Sequence, residues 1–122
     1  MNSLCRILCC CLLLVLPSAR LSAHAFLEHS DPPVGGKVHS APAAVRIWFT
    51  EAIEPVFSSI QVLDARGKQV DKKDTHSDRS NRSLLQVSLL PRLEPGIYKV
   101  VWRVVAVDTH VTSGDFRFQV AP

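Results

Sequence analysis

The chain is 122 residues long, with 14 Lys and Arg against 11 Asp and Glu and 47% hydrophobic residues, which is room for one domain with a core of its own. Two of the basic residues, Arg6 and Arg20, sit in a leader-like N-terminal segment; what remains is close to neutral, which argues against an electrostatic nucleic-acid binder. All four cysteines, Cys5, Cys9, Cys10 and Cys11, fall in the same segment, so the domain that follows has neither a disulfide framework nor a thiolate metal site.

In chain order, Met1 to Arg6 carries one arginine, Ile7 to Leu16 is an unbroken apolar run, and Pro17-Ser18-Ala19-Arg20-Leu21-Ser22-Ala23 breaks the run with small residues. That order is the pattern of a secretory signal peptide. An apolar run of about 10 residues is too short to span a bilayer, which takes roughly 20. The expected organisation is a signal peptide over 1–23 and an exported domain over 24–122.

His24 to Ser30 leads into Asp31-Pro32-Pro33-Val34-Gly35-Gly36, whose proline and glycine density marks a turn. Val45-Arg46-Ile47-Trp48-Phe49-Thr50 alternates with Val45, Ile47 and Phe49 on one face, a half-buried strand. Glu51 to Pro55 reads as a loop, Phe57 to Leu63 as a strand, and Asp64-Ala65-Arg66-Gly67 as a tight turn into Lys68-Gln69-Val70. Asp71 to Ser83 is polar, charged and without period, and reads as a mobile exposed loop. Leu85 to Leu89 is the next strand, and Pro91 to Gly96 turns the chain. Ile97 to Val107 is the longest strand. After Thr112-Ser113-Gly114, Phe116, Phe118 and Val120 alternate inward along a last one.

No stretch has a helical period of useful length. About seven short strands in roughly 100 residues predict an all-β, immunoglobulin-like Greek-key sandwich. Trp48, Trp102, Phe49, Phe57, Phe116 and Phe118 are available for its core. Tyr98, Val100, Trp102, Val104 and Ala106 share one parity of the longest strand and form its more apolar face. If that strand stays regular, Asp108 and His110 continue the face to the rim of the core, roughly 6–7 Å apart along the chain. An unpaired carboxylate there is costly to bury, so a cation or an arginine is its natural partner.

Of the five histidines, His39 and His76 lie in loops and read as ordinary solvated side chains. His24 depends on where the leader is cut. Cleavage after Ala23 makes it the first mature residue, offering an α-amine and an imidazole from one position. The amine titrates near pH 8, low enough for a tightly held metal to displace its proton. With Asp108 and His110 this makes a nitrogen-rich set with one carboxylate and no sulfur, which suits Cu(II). Cleavage after Ala25 would delete His24, and cleavage after Leu21 would put it third, behind Ser22 and Ala23. Spacing alone leaves all three open.

Several stretches taken together resemble the CopC family of periplasmic copper-binding, copper-resistance proteins. They are His24-Ala25-Phe26-Leu27 with the Ser30 to Gly35 turn, Phe49-Thr50-Glu51, Gly96 to Val100, Trp102 to Val105 and Asp108-Thr109-His110, followed by Gly114, Phe116 and Phe118. The resemblance spans essentially all of the mature domain. It implies a mature N-terminal histidine, with His24 binding through amine and imidazole, and Asp108 and His110 as the remaining ligands of one Cu(II). Glu51 falls near an acidic position associated with that site and is carried over only as a group standing behind the ligands.

Some members also bind Cu(I) through a methionine-rich stretch. Met1 is the only methionine here, so no Cu(I) methionine site is expected. The resemblance further implies a periplasmic location and a membrane copper protein of the CopD type as partner. A monomer without catalytic activity is expected. Two rival readings are a copper oxygenase of the N-terminal-histidine type and a metal-free immunoglobulin-like interaction module. In the second, Asp108 would pair with Arg103 or Arg46.

Overall fold

Alternating side chains decide the architecture. In the computed structural model, which describes residues 25–122, the strands are β1 (Leu27–Asp31), β2 (Lys37–Val38), β3 (Ala44–Phe49), β4 (Ser59–Leu63), β5 (His76–Ser77), β6 (Leu84–Ser88), β7 (Gly96–Val105) and β8 (Val111–Val120). The expected signal peptide over 1–23 and His24 lie outside the described residues. One sheet runs β1-β3-β6-β5 and the other β2-β8-β7-β4. The pairings are antiparallel apart from β2 with β8. This is the all-β, two-layer sandwich that the sequence predicts.

Each long strand buries every second residue. Val45, Ile47 and Phe49 of β3 and Leu85 and Val87 of β6 face Tyr98, Val100, Trp102 and Val104 of β7 and Phe116, Phe118 and Val120 of β8 across one core. Gly114 belongs to this packing. A Cβ at that position would lie 2.6 Å from Trp102 Cζ2, so the indole occupies the space that the missing side chain leaves. Phe49 meets the same indole edge-on, with ring centroids 5.2 Å apart, a favoured aromatic geometry.

Three expectations are corrected. Phe57 is not a core residue: it ends a short 3-10 turn, Pro55–Phe57, and is 66% exposed, because β4 begins only at Ser59. Trp48 points away from the core along with Arg46, as its parity in β3 requires, and its outer face is covered by the His29 ring stacked 4.3 Å away.

The third correction concerns residues 71–83, which are not a structureless loop. Asp71 is buried and its carboxylate accepts the Val62 N–H at 2.8 Å and the Lys73 N–H at 2.9 Å. Thr75 Oγ1 accepts the Ile60 N–H at 3.2 Å, and His76–Ser77 adds a strand beside β6. The segment covers the open edge of β4 with side-chain acceptors, a standard way to keep an edge strand from pairing with another chain. Its polarity reflects that task.

Candidate metal centre

β7 and β8 are the two longest strands, in register from Gly96 opposite Val120 to Val105 opposite Val111. The turn that joins them is tight: the Ala106 N–H donates to the His110 carbonyl at 2.9 Å and the Thr109 N–H to the Ala106 carbonyl at 2.8 Å. Thr109 has φ +75°, a left-handed conformation that a β-branched residue adopts only when its surroundings enforce it. The strand therefore does not stay regular to residue 110, and Asp108 and His110 do not extend the apolar face of β7. They stand at the exposed tip of a rigid hairpin, with side chains 38% and 54% accessible.

The turn brings them closer than a strand would. Asp108 Oδ1 accepts the His110 N–H at 3.1 Å, and Asp108 Oδ2 lies 3.0 Å from His110 Nδ1. Two donors bound side by side to one ion, each about 2 Å from it and about 90° apart, are separated by about 2.8 Å. The observed O···N distance is close to that spacing, but His110 Nδ1 points at Asp108 Oδ2 as its hydrogen-bond partner, so a shared cation would replace this hydrogen bond and turn the two groups toward itself. A carboxylate and an imidazole are also the oxygen and nitrogen donors that a borderline divalent ion accepts.

The chain enters the domain at the same rim. Ala25 is fully buried and its carbonyl accepts a 2.6 Å hydrogen bond from Thr112 Oγ1, on β8 two residues beyond His110. Phe26 donates its N–H to Thr50 Oγ1 at 3.0 Å and accepts the Thr50 N–H at 2.9 Å. Glu51, half-buried, follows Thr50, and Ala52 accepts the Val107 N–H at 3.1 Å. The backbone thus carries Glu51 past the base of the same hairpin. Sequence reasoning missed Thr112 and Thr50 as site residues. Thr112 read as part of a turn, although its even parity, shared with Phe116, Phe118 and Val120, already marked it as inward-facing.

The arginines offered as partners for Asp108 have other positions. Arg46 Nε donates to Gln86 Oε1 at 3.2 Å on the outer face of the first sheet, and Arg103 is exposed between Ser59 and Ser113. His76 Nδ1 is 2.7 Å from the Asp74 carbonyl and His39 is exposed; both are remote in topology from the hairpin tip. Among the described residues no group of three or more His, Cys, Asp or Glu side chains converges. Among the described residues Asp108 and His110 are therefore a pair and no more, and the further donor expected from the sequence, His24, lies outside those residues.

Comparison with known proteins addresses the family and the fold. The family model described as the CopC domain matches residues 27–121. Protein YobA of Escherichia coli K12 is 35% identical over 107 residues, covering 88% of this chain and 85% of its own. Copper resistance protein C of Xanthomonas campestris pv. juglandis is 33% identical over 112 residues, covering 86% of each chain. The crystal structure of CopC from Methylosinus trichosporium OB3b superposes with a TM-score of 0.75 at 32% identity, over 81% of this chain and 95% of that one. With a family model matched along nearly all of the sandwich, and the sandwich itself recovered in a solved member, the chain belongs to the CopC family.

Proposed function

We propose that this chain is a periplasmic Cu(II)-binding protein that buffers or delivers copper in copper resistance, without catalysis. The observation that carries the proposal is the Asp108–His110 pair, with a carboxylate oxygen and an imidazole nitrogen 3.0 Å apart on an exposed hairpin tip of a CopC-family chain. Two such donors are a weak chelate by themselves. The proposed set is completed by His24 as the first mature residue, through its amine and imidazole. Ala25, its neighbour in the chain, is held at the same rim, which supports that choice. Glu51 stands behind the ligands.

The reading as a carrier follows from exposure and donor type. Cargo must enter and leave, and a solvent-facing pair on a rigid turn permits both. The Asp108 carboxylate would fill a metal position that oxygen activation needs open, so the oxygenase reading is not carried forward. Met1 is the only methionine, so transfer through a thioether Cu(I) site forms no part of the proposal. A membrane copper protein of the CopD type is the proposed recipient or donor.

The test is Cu(II) titration of the exported protein after its first residue has been identified by intact mass. One copper per chain, with nitrogen couplings in its electron paramagnetic resonance spectrum and a mature start at His24, is the expected result. A mature start at Phe26, or undiminished affinity after His24→Ala, would refute the ligand set.

A further inference from the structure

We infer that Thr112 and Thr50 are positioning residues, a pair of hydroxyls whose task is to hold the Ala25–Phe26 dipeptide at the rim that carries the Asp108–His110 tip, and so to present the N-terminal ligand of the proposed set. The inference rests on the copper-binding reading above and deepens it. Thr50 follows β3 in the first sheet, and Thr112 lies on β8 in the second. Between them they grip a single dipeptide: Thr112 Oγ1 donates to the Ala25 carbonyl at 2.6 Å, and Thr50 Oγ1 accepts the Phe26 N–H at 3.0 Å. One hydroxyl acts as donor and the other as acceptor. The Thr112 bond joins the two sheets over a sequence separation of 87 residues, and the Thr50 bond extends the β1–β3 pairing by one step within the first sheet.

Residue type supports a dedicated role. The inward positions of β8 beyond Thr112 are Gly114, which accommodates Trp102, and then Phe116, Phe118 and Val120. Valine has the shape of threonine and would pack there without a polar atom, so the hydroxyl is explained by the carbonyl it satisfies. The first residues of a domain are poorly ordered unless something ties them down. A ligand on a frayed terminus loses binding free energy to the ordering of its own chain. Here Ala25 is fully buried, so the peptide is ordered through residue 25 when the domain folds rather than when copper arrives. His110 stands in the turn two residues before the latch, immediately ahead of β8. One short segment therefore links both halves of the proposed ligand set.

The experiment measures Cu(II) affinity by chelator competition, with apoprotein Tm as control, for Thr112→Val, Thr50→Val and Thr112→Ser. Each substitution is made in the native chain and in a second background where residue 24 donates nothing, namely His24→Ala carrying a Gly-Ser extension that moves the α-amine away. Thr112→Val is expected to weaken copper binding about tenfold, the value of one hydrogen bond of ordinary strength, and to reduce the nitrogen couplings in the copper spectrum. In the second background the same substitution should change affinity by less than about twofold, and Thr112→Ser should restore native affinity.

A loss of equal size in both backgrounds would overturn the latch in favour of a merely structural role, and so would no loss in the native chain or no rescue by serine. Thr50→Val is an independent arm with the same expectation, should Thr112→Val fail to fold. If the second background alone keeps native affinity, the ligand set fails; if it loses affinity while both threonine variants keep theirs, only the latch fails.

Discussion

Asp71 and Asp108 begin from the same local chemistry and end in different roles. Each accepts the N–H of the residue two places on, Lys73 at 2.9 Å and His110 at 3.1 Å. Each turn also contains a residue of positive φ, Lys73 at 57° and Thr109 at 75°. What separates them is the environment of the second oxygen. Asp71 is 5% exposed, and its Oδ2 receives the Val62 N–H at 2.8 Å and the Gln69 amide at 3.0 Å. Its acceptor capacity is spent on holding a crossing segment against β4. Asp108 Oδ2 instead faces an imidazole nitrogen at an accessible tip. An Asp that bonds the backbone two residues ahead is thus no mark of a site. The group facing its other oxygen, and its access to solvent, decide what it does.

That contrast is most directly broken by removing the site pair. Asp108→Ala together with His110→Ala should weaken Cu(II) binding by at least about a thousandfold, or roughly 4 kcal/mol. Loss from the exposed tip should move the apoprotein Tm by no more than about 3 °C. Calorimetric titration and a thermal melt on the same preparation check both parts. A large fall in Tm would mean that the pair holds the hairpin together, as Asp71 holds its segment.

Asp71→Ala should do the converse. It strands the buried Val62 N–H and loosens the crossing segment, a loss of about 3 kcal/mol or a fall in Tm on the order of 15 °C. Cupric affinity measured well below the transition should be unchanged. If affinity falls with stability, the two carboxylates are coupled and the contrast drawn between them is wrong.

Gly114→Ala probes the scaffold that carries one of them. The added Cβ meets the Trp102 ring at 2.6 Å, an overpacking that should cost about 2 kcal/mol. Urea denaturation should show the loss, while copper affinity stays within about threefold of native, because the hairpin tip lies beyond the disturbed contact.

The fold was legible because one-sided burial writes itself into alternation: Val45, Ile47 and Phe49, then Phe116, Phe118 and Val120, all face the core as their parity predicts. Parity also misled. It carried Asp108 and His110 along β7 as though the strand continued, when the chain reverses after Val105, and nothing in Asp-Thr-His announces a threonine at positive φ. The segment 71–77 was misread for a related reason. Its polar side chains satisfy the backbone of a strand nine or more residues away, a non-local use of polarity that resembles solvation when only neighbours are considered. The two candidate ligands on the hairpin were named from the sequence, but their pairing depends on a turn that alternation does not announce, and the threonine latch beside them on a contact between the sheets that no local pattern encodes.

The smallest effect concerns a third carboxylate, on the same segment as Asp71 but at the surface. Asp74 Oδ1 accepts the Ser88 N–H at 2.8 Å, and bonds from the Ser88 side chain and then its backbone hold the Asp74 carboxyl below the ordinary value of 3.8. A group whose folded pKa is depressed contributes stability that is fully present above its unfolded pKa and is lost as pH falls through the folded one. The difference in Tm between the native chain and Asp74→Asn should therefore be constant from pH 7 down to about 5, and should shrink as the carboxyl titrates below about 4. Solvent screens an exposed group of this kind, so the difference at neutral pH should be small, about 1 °C. A gap that widens on acidification would reverse the assigned sign and with it the role given to Ser88. A gap as large as that of Asp71→Ala would mean that exposure does not separate the carboxylates of this molecule.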